Sequence, residues 1–263
     1  MSTPCPEVYI ALAHRLADAA GEVIRDYFRR PFDLESKADS SLVTVADRAC
    51  ETAMRELIRA EAPEHGIVGE EFGDERPEAE WIWQLDPIDG TNSFVSGSPL
   101  FGVLIALIRR TGGGAEAVLG LLEQPILGER WLAQGRAPTT LNGRACRVRP
   151  CTDIAKAVHY TSGPGYFRGG QEPVLERLTA ATRLTRFSAD CYAVGLLASG
   201  HIDLVVETGL QAHDYAALVP IVENAGGVCS NWQGRRHDMF SDDDFVAAAT
   251  PALHAQALAL LNA

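Results

Sequence analysis

Positive charge is scarce in this 263-residue chain. It has 23 Lys and Arg against 35 Asp and Glu, a formal net charge of −12 and a pI near 5.0. No basic stripe or Lys/Arg run occurs, which argues against a nucleic-acid partner. No CxxC pair occurs either. None of the six cysteines (Cys5, Cys50, Cys146, Cys151, Cys191, Cys229) stands near a histidine at zinc spacing, so free thiols in a reducing compartment are expected. No basic stretch followed by an apolar leader opens the chain, and no apolar run is long enough to cross a bilayer. The expectation is a cytoplasmic protein with no membrane partner. Internal repeats and low-complexity segments are also missing. What remains is 46% apolar and 22% charged, the balance of a globular chain, with enough residues for one large domain or two small ones sharing a core.

The most informative stretch is Trp83-Gln84-Leu85-Asp86-Pro87-Ile88-Asp89-Gly90-Thr91. It sets two carboxylates three residues apart at the end of an apolar run, followed at once by a glycine and a hydroxyl residue. Hard anionic ligands beside a turn with exposed amides suit a Mg²⁺-dependent phosphate site: carboxylates hold the metal, and the Gly90 and Thr91 N–H groups meet phosphate oxygens. In an acidic protein acting on an anionic substrate, bound divalent metal is the natural source of local positive charge.

Periodicity places this stretch in an αβ half, residues 1–150, followed by an α/β half, residues 151–263. An amphipathic helix is expected from about Glu7 to Arg30, stopped by Pro31. A polar loop follows at Ser36 to Ser41, then a helix from Thr44 to about Glu61. Gly66 to Gly69 leads into Glu70-Glu71, and a strand from Trp81 to Leu85 delivers the aspartates. Phe101 to Ile108, Ala117 to Leu122 and Arg130 to Ala133 read as strands, the first two a hairpin around Gly112-Gly113-Gly114, with an Asn-Gly turn at Asn142-Gly143. Beyond Pro150, strands at Ala155 to Tyr160, Leu184 to Phe187, Ile202 to Val206 and Phe245 to Ala249 alternate with helices. The helices are Glu172 to Ala181, Tyr192 to Ala198, Asp214 to Ala225 ending at Gly226-Gly227, and Ala252 to Leu261.

Four acidic residues, Glu70, Asp86, Asp89 and Asp214, each stand where an apolar element meets a turn. Singly, each has a plainer role. Asp214 suits a helix N-cap, Glu70 a solvated turn, and Asp86 and Asp89 turn formation around Pro87. Together they point to metal. The DxDGT signature of haloacid-dehalogenase-type phosphatases does not fit, because Asp86 and Asp89 are two residues apart in between rather than one and no carboxylate takes the nucleophile's position. No GxSxG and no phosphatase-like cysteine loop occurs. Metal-assisted attack by water is what remains.

Several stretches together resemble the inositol monophosphatase-like family over nearly the whole length. They are Leu42-Val43-Thr44 with Asp47, Gly69-Glu70-Glu71, Asp86 to Thr91, and Asp214 with Ala216-Ala217 followed by Glu223 to Gly227. The histidinol-phosphatase branch is the most similar, through His65 to Gly73, Phe101 to Leu107, Asp190 to Ala193 and Asp214 to Glu223. The resemblance implies a layered α/β/α/β/α sandwich of the inositol monophosphatase and fructose-1,6-bisphosphatase type, a homodimer, and two to three Mg²⁺ per site. It implies that Glu70, Asp86 and the Ile88 carbonyl hold one ion and Asp86, Asp89 and Asp214 a second, with Glu70 touching a third through water. Glu70 and Thr91 would orient the attacking water, Asp47 would hydrogen-bond Thr91, and the Gly90 and Thr91 amides would bind phosphate. Substrate contacts are implied for Asn92, Asp190 and Glu207. The last two carboxylates suit histidinol phosphate, which carries an ammonium and an imidazole, although Asp190 equally suits a helix cap.

Three positions depart from the family pattern. His213 stands where Trp or Tyr is usual and reads best as a turn residue, Asn92 replaces a Lys common in the branch, and Ser41 replaces an Asp. None removes a metal ligand; all bear on substrate. The implied activity is Mg²⁺-dependent hydrolysis of a small phosphomonoester, with histidinol phosphate favoured and inositol monophosphate the rival. A catalytically idle metal-binding or regulatory protein is the third alternative.

Overall fold

The computed structural model describes residues 4–30, 34–36, 42–112 and 114–263. Pro31 and residues 37–41, including Ser41, lie outside the described residues. Helix α1 (Glu7–Tyr27) ends earlier than expected, and a turn covers residues 28–30. Ser36 belongs to a short strand rather than a loop: β1 (Leu34–Ser36) pairs antiparallel with β2 (Leu42–Thr44). Thr44 then caps α2 (Val45–Glu61), with its hydroxyl accepting from the Ala46 amide. The capping box is closed by Asp47.

The first large sheet contains β3 (Gly66–Gly69), β4 (Trp81–Asp89), β5 (Gly102–Thr111), β6 (Gly114–Gln124), β7 (Glu129–Gln134), β8 (Ala137–Leu141) and β9 (Arg144–Ala145), hydrogen-bonded in chain order. Its first pair is parallel and the rest antiparallel. A short helix, α3 (Thr91–Val95), leaves β4 directly. Asn142 and Gly143 both take positive φ, 50° and 77°, which closes the β8–β9 hairpin and explains the Asn-Gly pair there.

The second sheet contains β10 (Val158–Thr161), β11 (Leu184–Phe187), β12 (Leu204–Thr208), β13 (Val228–Ser230) and β14 (Asp244–Ala248), in the order β11-β10-β12-β14-β13. Ala155 and Lys156, expected in the strand, belong instead to a 3₁₀ turn (Ile154–Lys156) before β10. The helices here are α4 (Glu172–Ala181), α5 (Asp190–Ala198), α6 (Ala212–Tyr215), α7 (Leu218–Asn224) and α8 (Pro251–Leu261). One helix was expected from Asp214 to Ala225. Instead the chain breaks at Ala216-Ala217, because Pro220 has no N–H to donate to the Ala216 carbonyl; starting α7 at Leu218 puts Pro220 in the first turn, where that donor is not needed.

Strand alternation builds the layers. Val103, Ile105 and Leu107 of β5 pack with Leu16, Ala20 and Ile24 of α1 and with Cys50, Met54 and Ile58 of α2. The intervening Leu104, Ala106 and Ile108 face the other way, toward Val194 and Leu197 of α5 and Leu218, Ile221 and Val222 of α7. Val205, Phe245 and Ala247 of the second sheet close that middle cluster, while Leu204, Val206, Val246 and Ala248 turn to α4 and α8. Both faces of both sheets are thus buried, so the central strands read as continuous apolar runs. The result is the five-layer α/β/α/β/α arrangement. Sheet and helix come very close where a Cβ on Gly120 of β6 would lie 2.1 Å from the Ala217 carbonyl oxygen. The six cysteines are free thiols. No described helix is long and apolar enough to cross a membrane.

Candidate active site

On a regular strand, residues three apart point to opposite faces. Asp86 and Asp89 escape this because β4 carries a bulge: Asp86 pairs with Leu104, but Asp89 pairs with Gly102, so three steps on β4 match two on β5. Pro87, which cannot donate to a ladder, sits in the bulge, and the Asp86 Oδ1 accepts from the Ile88 amide at 3.0 Å. Both carboxylates thereby meet Asp214, and one oxygen from each of the three lies within 4.8 Å of the others. Asp214 is not a plain N-cap. It is the third residue of α6, and its Oδ2 accepts from the Gln211 amide at 2.7 Å, leaving Oδ1 3.4 Å from His213 Nε2. His213 therefore lies in a helix beside Asp214, not in a turn.

These carboxylates line a cleft of about 810 Å³ with Glu70, Ile88, Gly90, Thr91 and Asn92. Burial, then the charges of Glu70, Asp89 and Asp214, pushes Asp86 well above the usual carboxylate range. Asp89 is also raised well above that range by burial and by Asp190 and Asp214, although the Cys191 amide donates to its Oδ2 at 2.6 Å. Burial likewise raises Asp214. Carboxylates forced together in this way, Asp86 buried and Asp89 and Asp214 half-buried, form a site that a hard cation would relieve.

The predicted bond from Asp47 to Thr91 is not what forms. Asp47 accepts from the Thr44 amide at 2.8 Å and the Thr44 hydroxyl at 2.6 Å, as the N3 residue of its capping box. The Thr91 hydroxyl donates to the Ile88 carbonyl at 3.2 Å. Burial pushes Asp47 up to about 6 against those hydrogen bonds. Gly90 is held at φ +88°, and a Cβ there would lie 2.7 Å from Asp190 Oδ2, so glycine is needed for both reasons.

The remaining wall comes from the C-terminal ends of the parallel strands β10, β11 and β12, where open α/β sheets usually take ligands. Asp190, just beyond β11, does not cap its own helix. It sits at φ +42° and receives the Ser93 hydroxyl at 3.1 Å and the Ser162 hydroxyl at 3.4 Å. Glu207, one residue past the expected strand end at Val206, lies inside β12. Its Oε2 accepts from the Ser162 amide at 3.1 Å and the Thr161 hydroxyl at 3.3 Å, while its buried Oε1 has no partner. Burial pushes this carboxyl up to about 8. Asn92 Nδ2 donates to the Tyr166 hydroxyl at 3.1 Å.

Sequence reasoning missed Ser162, Tyr166, Arg168 and Gln171, all of which line the cleft. The signal was present: the Gly- and Pro-rich run Gly163-Pro164-Gly165-Tyr166-Phe167-Arg168-Gly169-Gly170 marks a loop leaving a strand's C-terminal end.

Comparisons with known proteins agree with this geometry. The family model described as the inositol monophosphatase family matches residues 6–263. A bifunctional phosphatase of Arabidopsis thaliana, IMPL2, described as chloroplastic, is 42% identical over 263 residues, covering 97% of this chain and 75% of that protein. A histidinol-phosphatase of Chlorobaculum parvum is 38% identical over 234 residues, 88% of each. The solved structure of an inositol monophosphatase from Zymomonas mobilis superposes with a TM-score of 0.86 at 42% identity, with 97% of each chain covered. With the carboxylate cleft and the five-layer fold, a match of this extent makes the chain a member of the inositol monophosphatase family.

Proposed function

We propose that the chain is a Mg²⁺-dependent phosphomonoesterase acting by attack of water, with histidinol phosphate as its preferred substrate. The observation that carries the hydrolytic reading is the convergence of Asp86, Asp89 and Asp214 oxygens within 4.8 Å. That spread matches oxygens sharing one hard cation, roughly 3–5 Å apart, and the donor set is all oxygen. Glu70, Asp86, Asp89, Asp214 and the Ile88 carbonyl would hold two to three Mg²⁺. Such ions supply an acidified water and neutralise charge on the departing ester oxygen. The residues of the chain do the rest. Glu70 accepts the proton of the attacking water. The Thr91 hydroxyl, donating to the Ile88 carbonyl, keeps lone pairs to orient that water. The Gly90 and Thr91 amides, where α3 begins, would donate to phosphate oxygens.

The substrate preference rests on Glu207 and Asp190. A substrate ammonium or imidazolium beside Glu207 would satisfy the orphaned Oε1 and pull the carboxyl back to its charged form. The similarity to the Chlorobaculum parvum histidinol-phosphatase supports the same preference. One observation favours a second reading, a neutral polyol phosphate such as inositol monophosphate: without a cation beside it, Glu207 is raised to about 8 and stays protonated near pH 7, a state that can donate to a hydroxyl. A side-by-side assay of phosphate release separates the two. Higher kcat/KM for histidinol phosphate than for inositol 1-phosphate is expected; a much higher value for inositol 1-phosphate would overturn the preference.

A further inference from the structure

We propose that the buried Glu51–Arg55 pair of α2 is a positioning device that sets Glu70 for cation binding; this rests on the reading of Glu70 as a cation ligand. Four residues apart on one helix, Glu and Arg ordinarily form a solvated surface pair. Here the Glu51 side chain is fully buried and that of Arg55 is 3% exposed. Arg55 Nε donates to Glu51 Oε1 at 2.8 Å. The remaining groups of the pair reach the segment after β3, on the C-terminal side of Glu70. Glu51 Oε2 accepts from the Glu71 amide at 2.7 Å, and Arg55 Nη2 donates to the Phe72 carbonyl at 3.1 Å. On the N-terminal side the backbone lies directly against the carboxylate: a Cβ on Gly69 would stand 2.1 Å from Glu51 Oε1. Arg55 Nη1 extends the clamp to Glu75 at 2.8 Å.

Residues 70–72 have no sheet ladder, since β3 ends at Gly69 and the chain bends from there. The ion pair instead bonds this backbone at Glu71 and Phe72. A buried pair of this kind gives little net stability over an apolar replacement, because desolvation offsets the attraction. It does give a fixed fork of donors and acceptors. Glu70, held in this way, lines the cleft with Asp86 and Asp214 and acts electrostatically on both. Glu51 itself is not among the residues that line the cleft, so its role is exerted through Glu70.

Glu51→Gln keeps the shape but replaces one acceptor with an NH₂ that faces either the Glu71 amide or Arg55, donor against donor. Mn²⁺ binding to cation-free protein, followed by the electron paramagnetic resonance signal of free Mn²⁺, reads the consequence without catalysis. Four proteins are compared: wild type, Glu51→Gln, Glu70→Gln and the double variant. About tenfold weaker binding is expected for Glu51→Gln, the size usual for a group that orients a metal ligand, and at least as large a loss for Glu70→Gln, which removes the charge of the ligand itself. The double variant should bind no more weakly than Glu70→Gln, because both changes act through one carboxylate. Wild-type affinity in Glu51→Gln with a loss in Glu70→Gln, or losses that multiply in the double variant, would refute the positioning role alone. Wild-type affinity in Glu70→Gln would instead refute Glu70 as a ligand. Gly69→Ala presses on Glu51 from the strand side and carries the same test if Glu51→Gln unfolds: its loss of affinity should vanish in a Glu70→Gln background, and persistence of that loss would count against the inference.

Discussion

Glu207→Gln has a consequence for stability that can be worked from the structure. The substitution is nearly isosteric, and the amide oxygen can still accept from the Ser162 amide and the Thr161 hydroxyl. What it removes is a titration. In the metal-free, substrate-free protein the Glu207 carboxyl is pushed by burial from 4.5 to about 8. The folded state therefore binds a proton that the unfolded chain releases above its own pKa. Such a group contributes stability fully below about pH 4.5, and that contribution is lost as pH rises toward 8. Each pH unit within the window costs wild type about 1.4 kcal/mol relative to a non-titrating side chain. From pH 5 to pH 7, Glu207→Gln should gain about 2–3 kcal/mol on wild type, or roughly 5–10 °C in relative melting temperature for a chain of this size. Thermal unfolding of both proteins in a chelator, scanned from pH 5 to 8, measures this. A difference that stays constant with pH would refute the buried, proton-holding Glu207.

Further predictions concern the carboxylate cluster and the layer contacts. Because Asp86, Asp89 and Asp214 are all raised, the cation-free protein should lose stability as pH rises from mildly acidic to neutral, and saturating Mg²⁺ should remove that loss; a melting temperature unmoved by Mg²⁺ at pH 7 would oppose it. Glu207→Gln should reduce kcat/KM for histidinol phosphate far more than for para-nitrophenyl phosphate, and equal losses on both would deny it a specificity role. Gly120→Ala should cost about 2–3 kcal/mol, because the new Cβ meets the Ala217 carbonyl and two packed layers must part; calorimetric melting within 2 °C of wild type, a bound of roughly 1 kcal/mol, would contradict that contact.

Much of the fold was legible because its strands and helices carry strong local patterns. The β5–β6 hairpin, the Asn142-Gly143 turn and the helix of residues 172–181 follow from periodicity and turn chemistry. Where reading failed, long-range effects decided. Pro220 breaks an apparently continuous helix because its missing donor matters only once α7 is built. The β1–β2 pair is too short to announce itself beside a polar stretch. In the site, Asp86, Asp89 and Asp214 were readable as residue types, but their convergence depends on the β4 bulge. Asp47 was expected to reach Thr91, whereas the helix capping box claims it first. Glu51 and Arg55 look like a surface pair in sequence. Only the burial of α2 against the β3 end turns them into a clamp.

The central claim is that the cleft carboxylates hold the cations that hydrolyse a small phosphomonoester. Phosphate release from histidinol phosphate, titrated with Mg²⁺ in wild type and in Asp89→Asn, tests it most directly. The account predicts Mg²⁺-dependent release by wild type and a loss of several orders of magnitude in a folded Asp89→Asn protein, which lacks one hard ligand and one charge. Release that is independent of Mg²⁺, or near-normal turnover by Asp89→Asn, would contradict it.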